Sequence, residues 1–509
     1  MVLTRHDLKQ IDMDYLKTLS PEELLAVSLK LLQDLQEAHD RFNQRSDNSS
    51  RPSGSFALWE DPVIDEDKDN DEKDDEVQKP SSKNDEEKPE TAQDEKEAKP
   101  KKSGKPKGAK GHGRKTERKL TGMEEHRAEN CAACGKELGE EAQFVPRTGF
   151  YVLDIRIGEN GIEVTYVKHS YGDTLCSCGH KTRTEPARGE EEEDWHTELT
   201  EWRLIGPMLA SLIVSLAFRS HMSRLRIKEF LRDWLEIRIS KGTINNTIRE
   251  AGQAVEPLEE ELIKEVEKAE LLHADETSWK ENGALRWLWV LVTANVTLFL
   301  IGKRSWDVIA GILENYAGWL MSDGYVVYRK YAQRLRCWAH LIRKARGLSE
   351  SLNKEARLFG TEVLGIFTLL IKQIYQAREG PDRNLKEEYT SNLEDLRKLC
   401  EKHKDSKHEK TRKLARELLN DWDTFWTVLE HTELPITNNI AERALRHWII
   451  SRKISFGTRT KEGSRAFTLL ASVIETCRQR DVSPWPYLAD VIAARRKGNT
   501  APALPSIAL

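Results

Sequence analysis

Residues 271–277 read Leu-Leu-His-Ala-Asp-Glu-Thr, and this stretch, with the apolar runs over 286–301, decides the fold. Apolar and β-branched residues dominate both segments, which predicts one strand followed by two more that are joined by a turn at Asn295. A helical pattern over 306–316 and a short strand-like run over 318–321 come next. Strands and helices in mixed order predict an α/β fold with helical additions.

Two aspartates stand at the ends of these apolar strands. Asp275 follows the run Leu271–Ala274, and Asp323 follows the run that ends at Met321. Carboxylates from neighbouring strands converge on hard cations such as Mg²⁺. Two such ions about 3.5–4 Å apart activate the attacking oxygen and stabilise the leaving oxygen in phosphodiester chemistry. The chain has 85 acidic residues, so a cap or turn role is the alternative for both aspartates.

A third acidic residue lies in a basic context further along the chain. The stretch 436–446 reads Ile-Thr-Asn-Asn-Ile-Ala-Glu-Arg-Ala-Leu-Arg, and a helix would group its polar members on one side. Those members are Asn438, Glu442, Arg443 and Arg446. The basic segment 451–461 follows, so the pattern indicates a carboxylate beside phosphate-binding cations. A surface ion pair is the alternative.

Four of the seven cysteines form two close pairs. Cys131-Ala-Ala-Cys134 and Cys176-Ser-Cys178-Gly-His180 are separated by 41 residues. Two such pairs supply the soft ligands of a tetrahedral structural zinc site. The one-residue gap between Cys176 and Cys178 is poorer geometry, so His180 is an alternative fourth ligand. Cysteines without a metal remain the other interpretation.

The amino-terminal quarter of the chain is unlike the remainder. Leucines recur at three- and four-residue spacing over 14–43, which predicts a helix that either forms a coiled-coil seam or packs on its own chain. Residues 44–120 lack any core-forming pattern, so we expect disorder there. Net charge is −11 over 60–100 and +8 over 101–119. The basic half is a candidate contact for DNA phosphates.

Membrane and secretory classes do not fit the apolar pattern. The first residues contain no apolar signal segment, and the longest apolar run, 204–218, has 15 residues where a spanning helix requires about 20. We therefore expect a buried helix there. Free cysteines of this number are typical of a reducing cytosol.

A pair of helices is predicted downstream of this run. Residues 224–235 and 244–251 are helical in pattern and are separated by a break at Ser240-Lys-Gly242. A helix-turn-helix that reads the major groove and a plain helical hairpin in the core both account for this pattern.

Several segments in order resemble the transposase of the insertion sequence 66 family. They are HADETSWKENGALRWLWV (273–290), MSDGYVVYRK (321–330), RCWAHLIRKAR (336–346) and TNNIAERALRHWIISRKISFGTRTKEGSRA (437–466). The paired cysteines and the carboxy-terminal stretches 472–477 and 486–490 match as well. The family's usual cysteine spacing is Cys-x-x-Cys in both pairs, so the pair at Cys176 and Cys178 departs from it.

The resemblance implies a DDE transposase with a ribonuclease-H-like catalytic fold. It places Asp275, Asp323 and Glu442 on the catalytic triad, as ligands of Mg²⁺ or Mn²⁺, and the cysteines on a zinc-binding domain. The 119 residues between Asp323 and Glu442 then imply a helical insertion at about 340–430. Cys337-Trp-Ala-His340 could be mistaken for a metal-ligand pair. Its spacing on a helix favours packing against the core, with His340 near the active site.

The implied activity is cleavage and strand transfer at the terminal inverted repeats of an insertion sequence. The candidate DNA contacts are Asn438, Arg443, Arg446, Lys453 and Arg459. The expected partners are the inverted repeats, target DNA, further copies of the chain on DNA and accessory proteins of the element, with no membrane. The expected location is the bacterial cytoplasm, at the nucleoid. The alternatives are a metal-dependent nuclease without strand joining and a DNA-binding product of a decayed element.

The expected domain order follows from these assignments. It is a leucine-striped helix (1–46), a charged linker (47–120), a zinc module (121–190), a helical region (198–268), a catalytic core with its insertion (269–460) and a helical carboxy-terminal region (461–509).

Overall fold

The structure, a computed structural model, describes residues 118–159, 161–186, 203–351, 353–381 and 383–506, with seven positions between 20 and 32. The chain divides into one unit of 1–64 with 120–509 and a second unit of 65–119. The second unit lies outside the described residues except for Arg118 and Lys119, so the predicted linker is not assessed. The account below concerns the first unit.

Only a few positions of the predicted leucine-striped helix are described. Those from Pro21 to Leu32 are helical. The leucines among them are exposed to between 40% and 61%; they are Leu24, Leu25, Leu29 and Leu32. Both interpretations of the stripe stay predictions, because the other leucines of the pattern lie outside the described residues.

The first sheet is built on a long hairpin. Its strands are β1 (Gly122–His126), β2 (Phe144–Gly158), β3 (Gly161–Leu175), β4 (Lys181–Arg183) and β5 (Arg203–Ile205). Strands β2 and β3 pair antiparallel, β1 adds to β3 in parallel, β5 adds to β2 in parallel and β4 pairs with β3. The apolar stretches 150–157 and 162–168 lie within β2 and β3, and both strands extend further because they pair with each other along their full length.

The second sheet has the order β10-β9-β6-β7-β8. Its strands are β6 (Leu271–Glu281), β7 (Ala284–Val292), β8 (Thr297–Gly302), β9 (Trp319–Ser322) and β10 (Arg334–Arg336). The first three form an antiparallel meander, whereas β9 pairs in parallel with β6, and β10 in parallel with β9. The turn at Asn295 is confirmed. A second turn at Asn282-Gly283 has positive φ at both residues, which suits a two-residue hairpin.

Helices surround this sheet. They are α1 (Pro207–Phe218), α2 (Arg224–Leu235), α3 (Lys241–Ala254), α4 (Glu259–Glu267), α5 (Asp307–Leu313), α6 (Trp338–Ser349), α7 (Lys354–Glu379), α8 (Leu385–Glu388), α9 (Thr390–His403), α10 (Glu409–Asn420), α11 (Trp422–Glu430), α12 (Asn439–Ser455), α13 (Lys461–Gln479) and α14 (Pro484–Arg496). The mixed α/β fold is confirmed, and so is the helical character of the segment between β10 and α12.

Two details of the helix predictions are wrong. The apolar run 204–218 is not helical throughout, because Arg203–Ile205 pairs with β2 and the helix starts at Pro207. Proline suits the first helical turn, since its missing N–H has no partner there. The break between α2 and α3 does not contain Gly242. It begins at Glu236, which adopts a left-handed φ of 54°, and Ser240 caps α3 by accepting the Thr243 N–H.

The helices α6 to α11 form a core of their own. Trp338, Phe367 and Trp426 are buried, and their rings meet edge to face or tilted at centroid distances of 5.0–5.7 Å. Met321 of β9 and Leu335 of β10 belong to the same cluster, so the helical segment is anchored on the edge of the second sheet. The long helix α7 is apolar enough to cross a bilayer by length and composition alone. Its buried positions, which include Phe359, Val363 and Ile374, pack within this core.

Close packing between α3 and α13 generates a prediction. A Cβ added at Gly252 would lie 2.4 Å from the Cβ of Ala466. We expect Gly252→Ala to destabilise the protein by about 1–3 kcal/mol, because overpacking outweighs the gain in helix propensity. The control is Gly365→Ala in α7, where a Cβ meets nothing within 4 Å. There, alanine should stabilise by up to about 1 kcal/mol. The measurement is the thermal unfolding midpoint of each variant. If both midpoints move in the same direction, the close contact between Gly252 and Ala466 is contradicted.

Candidate functional site

The register of β6 with β9 places Asp275 and Asp323 side by side. The last paired residues of the two parallel strands are His273 and Met321. Both aspartates lie two residues beyond that pair, so they stand at the same level of the sheet. Asp323 directly follows the end of β9, whereas Asp275 lies within β6, which continues to Glu281 because it pairs with β7. The Oδ1 atom of Asp323 accepts the N–H of Tyr325 at 2.8 Å, which holds the loop that follows β9.

Glu442 approaches the aspartates from the first turn of α12, a helix that packs on β6. Its charge acts on Asp275. Desolvation raises the pKa of Asp275 well above its usual range, and the neighbouring charges of Asp323, Glu276 and Glu442 raise it further. Like charges at short range disfavour ionisation of each other. The three residues singled out in the sequence are therefore gathered in one electrostatically coupled group.

The structure corrects the assignment of Asn438 as a DNA contact. This residue is 1% exposed. Its amide donates to the carbonyl oxygen of Ala274 at 2.7 Å, and its Oδ1 lies 3.0 Å from Nδ1 of His273. Asn438 thus ties the start of α12 to β6 immediately before Asp275. A buried amide with both ends engaged positions Glu442 and has nothing to offer to DNA.

A fourth carboxylate, Glu276, was missed by sequence reasoning. Its side chain is buried, accepts a hydrogen bond from the hydroxyl of Tyr328 at 2.6 Å and pairs with Arg304 at 3.0 Å. Burial first, and the charge of Asp323 second, raise the pKa of Glu276 to about 7. The Arg304 guanidinium lies over the rings of Trp287 and Tyr325 at 4.1 and 4.0 Å. The adjacent acids in Asp275-Glu276 were the available signal.

A buried arginine network supports the loop of Asp323. Arg336 donates to the carbonyl oxygen of Asp323 at 3.2 Å and pairs with Asp421 at 3.0 Å. Arg334 and Arg329 also pair with Asp421, at 2.7 and 3.2 Å. Asp421 precedes α11, so the helical segment between Asp323 and Glu442 contributes directly to the position of the second aspartate. Nothing in the local sequence pattern marks this contact.

The Cys337–His340 pair borders the same group from α6. Nε2 of His340 lies 3.9 Å from Oε1 of Glu442, and a guanidinium nitrogen of Arg343 lies 4.0 Å from the same oxygen. Cys337 is buried, and its sulphur accepts the N–H of Asn438 at 3.2 Å. Desolvation and three nearby cations lower the pKa of His340 well below its usual range, so its ring is neutral. Cys337 packs in the core, and His340 lies beside Glu442.

The other predicted DNA contacts occupy the surface of α12 and the loop after it. Arg443, Lys453 and Arg459 are exposed, and Arg446 is half-buried. The loop is held against β6, because Thr458 bridges to Glu281 and its N–H donates to the carbonyl oxygen of Lys280. These cations thus lie on the element that carries Glu442.

The cysteine pairs meet on the first sheet. Sγ of Cys131 lies 3.7 Å from that of Cys178, and Sγ of Cys134 lies 3.6 Å from that of Cys176. All four sulphurs lie within 4.8 Å of one another, and exposed His180 is not part of this group. The backbone N–H of Cys134 is the main cause that lowers the pKa of Cys131 to about 6. Such a donor set suits zinc.

The raised pKa of Glu276 makes the stability of the metal-free protein depend on pH. An unfolded glutamate titrates near ~4.3. Between that value and about 7, the folded state keeps a proton that the unfolded state has lost. The free energy of unfolding therefore falls as pH rises through this window, by on the order of 3–4 kcal/mol for this group. Glu276→Gln should remove the part of the pH dependence that Glu276 contributes.

Thermal unfolding without divalent cations tests this expectation. At each pH, the midpoint of Glu276→Gln is subtracted from the wild-type midpoint. This difference should be lower at pH 8 than at pH 5. The matched control is Asp490→Asn, an exposed position on α14, whose difference from wild type should not change with pH. An equal difference for Glu276→Gln at both pH values would mean that the carboxyl titrates normally.

Comparison with known proteins adds a family assignment. The sequence model described as "Transposase IS66 family" matches residues 203–466, more than half of the chain. The matched range contains Asp275, Asp323 and Glu442.

The chain also resembles proteins of Sinorhizobium fredii (strain NBRC 101917 / NGR234). It is 26% identical to the uncharacterized protein y4qI over 305 residues, which cover 53% of this chain and 55% of that protein. It is 34% identical to the uncharacterized protein y4jO over 83 residues, 16% of this chain and 26% of that protein. The match to the uncharacterized protein y4hP is 36% over 76 residues, 15% and 14% of the two chains. The chain thus spans about half the length of y4qI and less of the other two.

Proposed function

Because the chain belongs to the transposase IS66 family, we propose that it cleaves DNA at the ends of its element and joins those ends to target DNA with an Asp275, Asp323 and Glu442 triad. The observation that carries this proposal is the register of β6 and β9, which sets the two aspartates at one level of the sheet, with the charge of Glu442 acting on Asp275. A buried group of mutually repelling carboxylates is costly, and such perturbed groups cluster at functional sites.

The strand order supports a ribonuclease-H-like catalytic core. An antiparallel meander of three strands is followed by two parallel strands that add on the side of the first, and the crossover to β9 contains α5. In this core, the two aspartates lie on the first and fourth strands of the sheet. The insertion between β10 and α12 is then an addition to the core, and it fits the expected helical segment at about 340–430.

The donor set fits a hard divalent cation, Mg²⁺ or Mn²⁺. Asp275, Asp323 and Glu442 offer carboxylate oxygens, which such ions prefer. A bound cation would offset the burial and the neighbouring negative charges that raise the pKa of Asp275. A bound pair of such ions supplies activation of the attacking oxygen and stabilisation of the leaving oxygen. Protein side chains then have no covalent role.

The chain's own residues orient the site and hold DNA. Asn438 and Arg336 fix the positions of Glu442 and Asp323 through buried hydrogen bonds. Arg343 lies beside Glu442, where it can contact a phosphate as well as the carboxylate. The exposed cations of α12 and its following loop would bind the backbone of the duplex close to the reacting phosphodiester.

Recognition of the terminal repeats is assigned to elements before β6. The helices α2 and α3 form a helix-turn-helix arrangement, and α3 exposes Lys241, Asn245, Asn246 and Arg249. Amides and arginines are the side chains that pair with base edges in the major groove. The four cysteines would hold one structural zinc ion that stabilises the first sheet. The exposed leucines between 24 and 32 would join copies of the chain on DNA.

Neutral substitutions of the triad should separate chemistry from binding. We expect Asp275→Asn, Asp323→Asn and Glu442→Gln each to abolish both cleavage and joining of pre-cleaved terminal DNA with Mg²⁺, because amides bind the ion poorly. Binding to terminal DNA should be retained. Asp490→Asn is the control and should be fully active.

Incubation of the wild-type protein with pre-cleaved terminal DNA and Mg²⁺ has three possible outcomes, which distinguish this proposal from its alternatives. Joined DNA indicates a transposase, hydrolysis alone indicates a nuclease with the same triad, and binding alone indicates a product without catalysis. Joining by the Asp275→Asn protein at the wild-type rate would refute the triad.

Variants of exposed cations test the assignment of base reading to α3. Arg249→Ala should weaken binding to the terminal repeat by about 1–3 kcal/mol more than binding to unrelated DNA. Deletion of 101–119 should weaken both alike and flatten the salt dependence, because a basic run contacts phosphates only. Lys372→Ala, which removes an exposed charge from α7, is the control. If Arg249→Ala weakens binding to the terminal repeat and to unrelated DNA equally, α3 does not read bases. The pair α2 and α3 is then a plain helical hairpin.

A further inference from the structure

Two histidines and a glutamate converge on the first sheet, away from the cysteines. Glu124 and His126 lie two residues apart on β1, and Glu124 is paired with His169 of β3 in the parallel register. Residues two apart on a strand point to the same face of a sheet. The three side chains therefore share one face.

Their donor atoms lie at the spacing of ligands on one metal ion. Nδ1 of His169 is 3.0 Å from Nε2 of His126 and 3.2 Å from Oε2 of Glu124. All three atoms lie within 4.8 Å of one another. Bonds of about 2.0–2.2 Å to a tetrahedral zinc ion set its ligands roughly 3.3 Å apart, so little movement is needed to bind one.

Hydrogen bonding alone does not satisfy this arrangement. Nδ1 of His169 faces both Nε2 of His126 and the carboxylate of Glu124. If it carries a proton, two acceptors compete for that proton; if it does not, its lone pair faces a carboxylate. Nδ1 of His169 can form only one good hydrogen bond at a time, so one of its two neighbours has no partner within the group. A cation can be shared by all three donor atoms.

Aromatic rings hold the two imidazoles in place. Tyr171 stacks on His126 at a centroid distance of 4.2 Å with an interplanar angle of 6°. Phe150 stacks on His169 at 5.1 Å. Support that fixes the orientation of an imidazole is typical of metal-binding histidines. The donors are thus set in position before any metal binds.

We propose that Glu124, His126 and His169 form a second metal site, which takes Zn²⁺ or a related transition metal and not Mg²⁺. Imidazole nitrogens select such metals, whereas hard ions prefer oxygen ligands. Three protein ligands leave a fourth position for water or a small anion. The bound metal would fasten the five-residue edge strand β1 to β3.

Cobalt(II) titration of the full, metal-free chain in excess Mg²⁺ tests the proposal. Mg²⁺ competes for the carboxylates around Asp275 but not for imidazoles. Thiolate ligands give cobalt an intense charge-transfer absorption, whereas imidazole and carboxylate ligands do not. We expect each chain to bind about two equivalents of cobalt(II). One equivalent should show the thiolate absorption, and the other should not.

Matched variants assign each equivalent. His126→Gln and His169→Gln should each lose the equivalent without thiolate absorption and keep the other, whereas Cys134→Ser should show the reverse. His431→Gln is the control, because His431 also pairs with a glutamate, Glu433 at 3.5 Å, but has no second histidine in that pair. The retained thiolate absorption also shows that the sheet is folded in the histidine variants.

Two results would overturn the second site. One is a wild-type chain that binds a single equivalent, all of it with thiolate absorption. The other is unchanged stoichiometry in both histidine variants. If these variants lose the thiolate absorption as well, Glu124→Gln decides, because its side chain is 60% exposed and its replacement leaves the sheet intact. If Glu124→Gln binds the cobalt ion without thiolate absorption at least about tenfold more weakly than the wild type, the site is supported. Unchanged affinity for that ion rejects it.

Discussion

Burial of carboxylates where β6 and β9 lie side by side is the constraint on which the rest of the site depends. Burial first, and then the charges of neighbouring carboxylates, raise the pKa of Asp275 and of Glu276. Such a group persists only where the surrounding fold holds it in place and supplies positive charge. Arg304 pairs with Glu276, and Arg343 lies beside Glu442. A divalent cation would complete this compensation.

The helical segment between Asp323 and Glu442 is part of that support. Its own core is centred on Trp338 and Trp426 and is anchored on β9 and β10. From this core, Asp421 binds Arg336, which in turn donates to the backbone of Asp323. The arginines lower the pKa of Asp421 although burial opposes this, so the aspartate stays charged. An addition to the fold thereby determines the position of a residue in the site.

The two sheets of the chain offer different ligand chemistries. The second sheet carries Asp275 and is followed by Asp323, whose carboxylate oxygens suit hard ions, and the first sheet carries thiolates and imidazoles, which suit zinc. On the proposed function, this difference would let one chain keep a metal that stabilises structure apart from a metal that acts on phosphates. It also agrees with a division in which elements before β6 recognise DNA and those from β6 onward act on it.

Local patterns determined much of the fold, whereas the site was completed by pairing between distant segments. Runs of apolar and β-branched residues were enough to predict β6, which contains Asp275, and β9, which Asp323 follows, because buried strands are rich in such residues. Asn438 could not be placed in this way, since its amide is buried by β6, more than 160 residues earlier. Glu276, Arg336 and the pair His126–His169 depend likewise on partners that lie 28 to 85 residues away. Register between distant strands and helices is set by the packing of the whole core, and no short stretch of sequence contains that information.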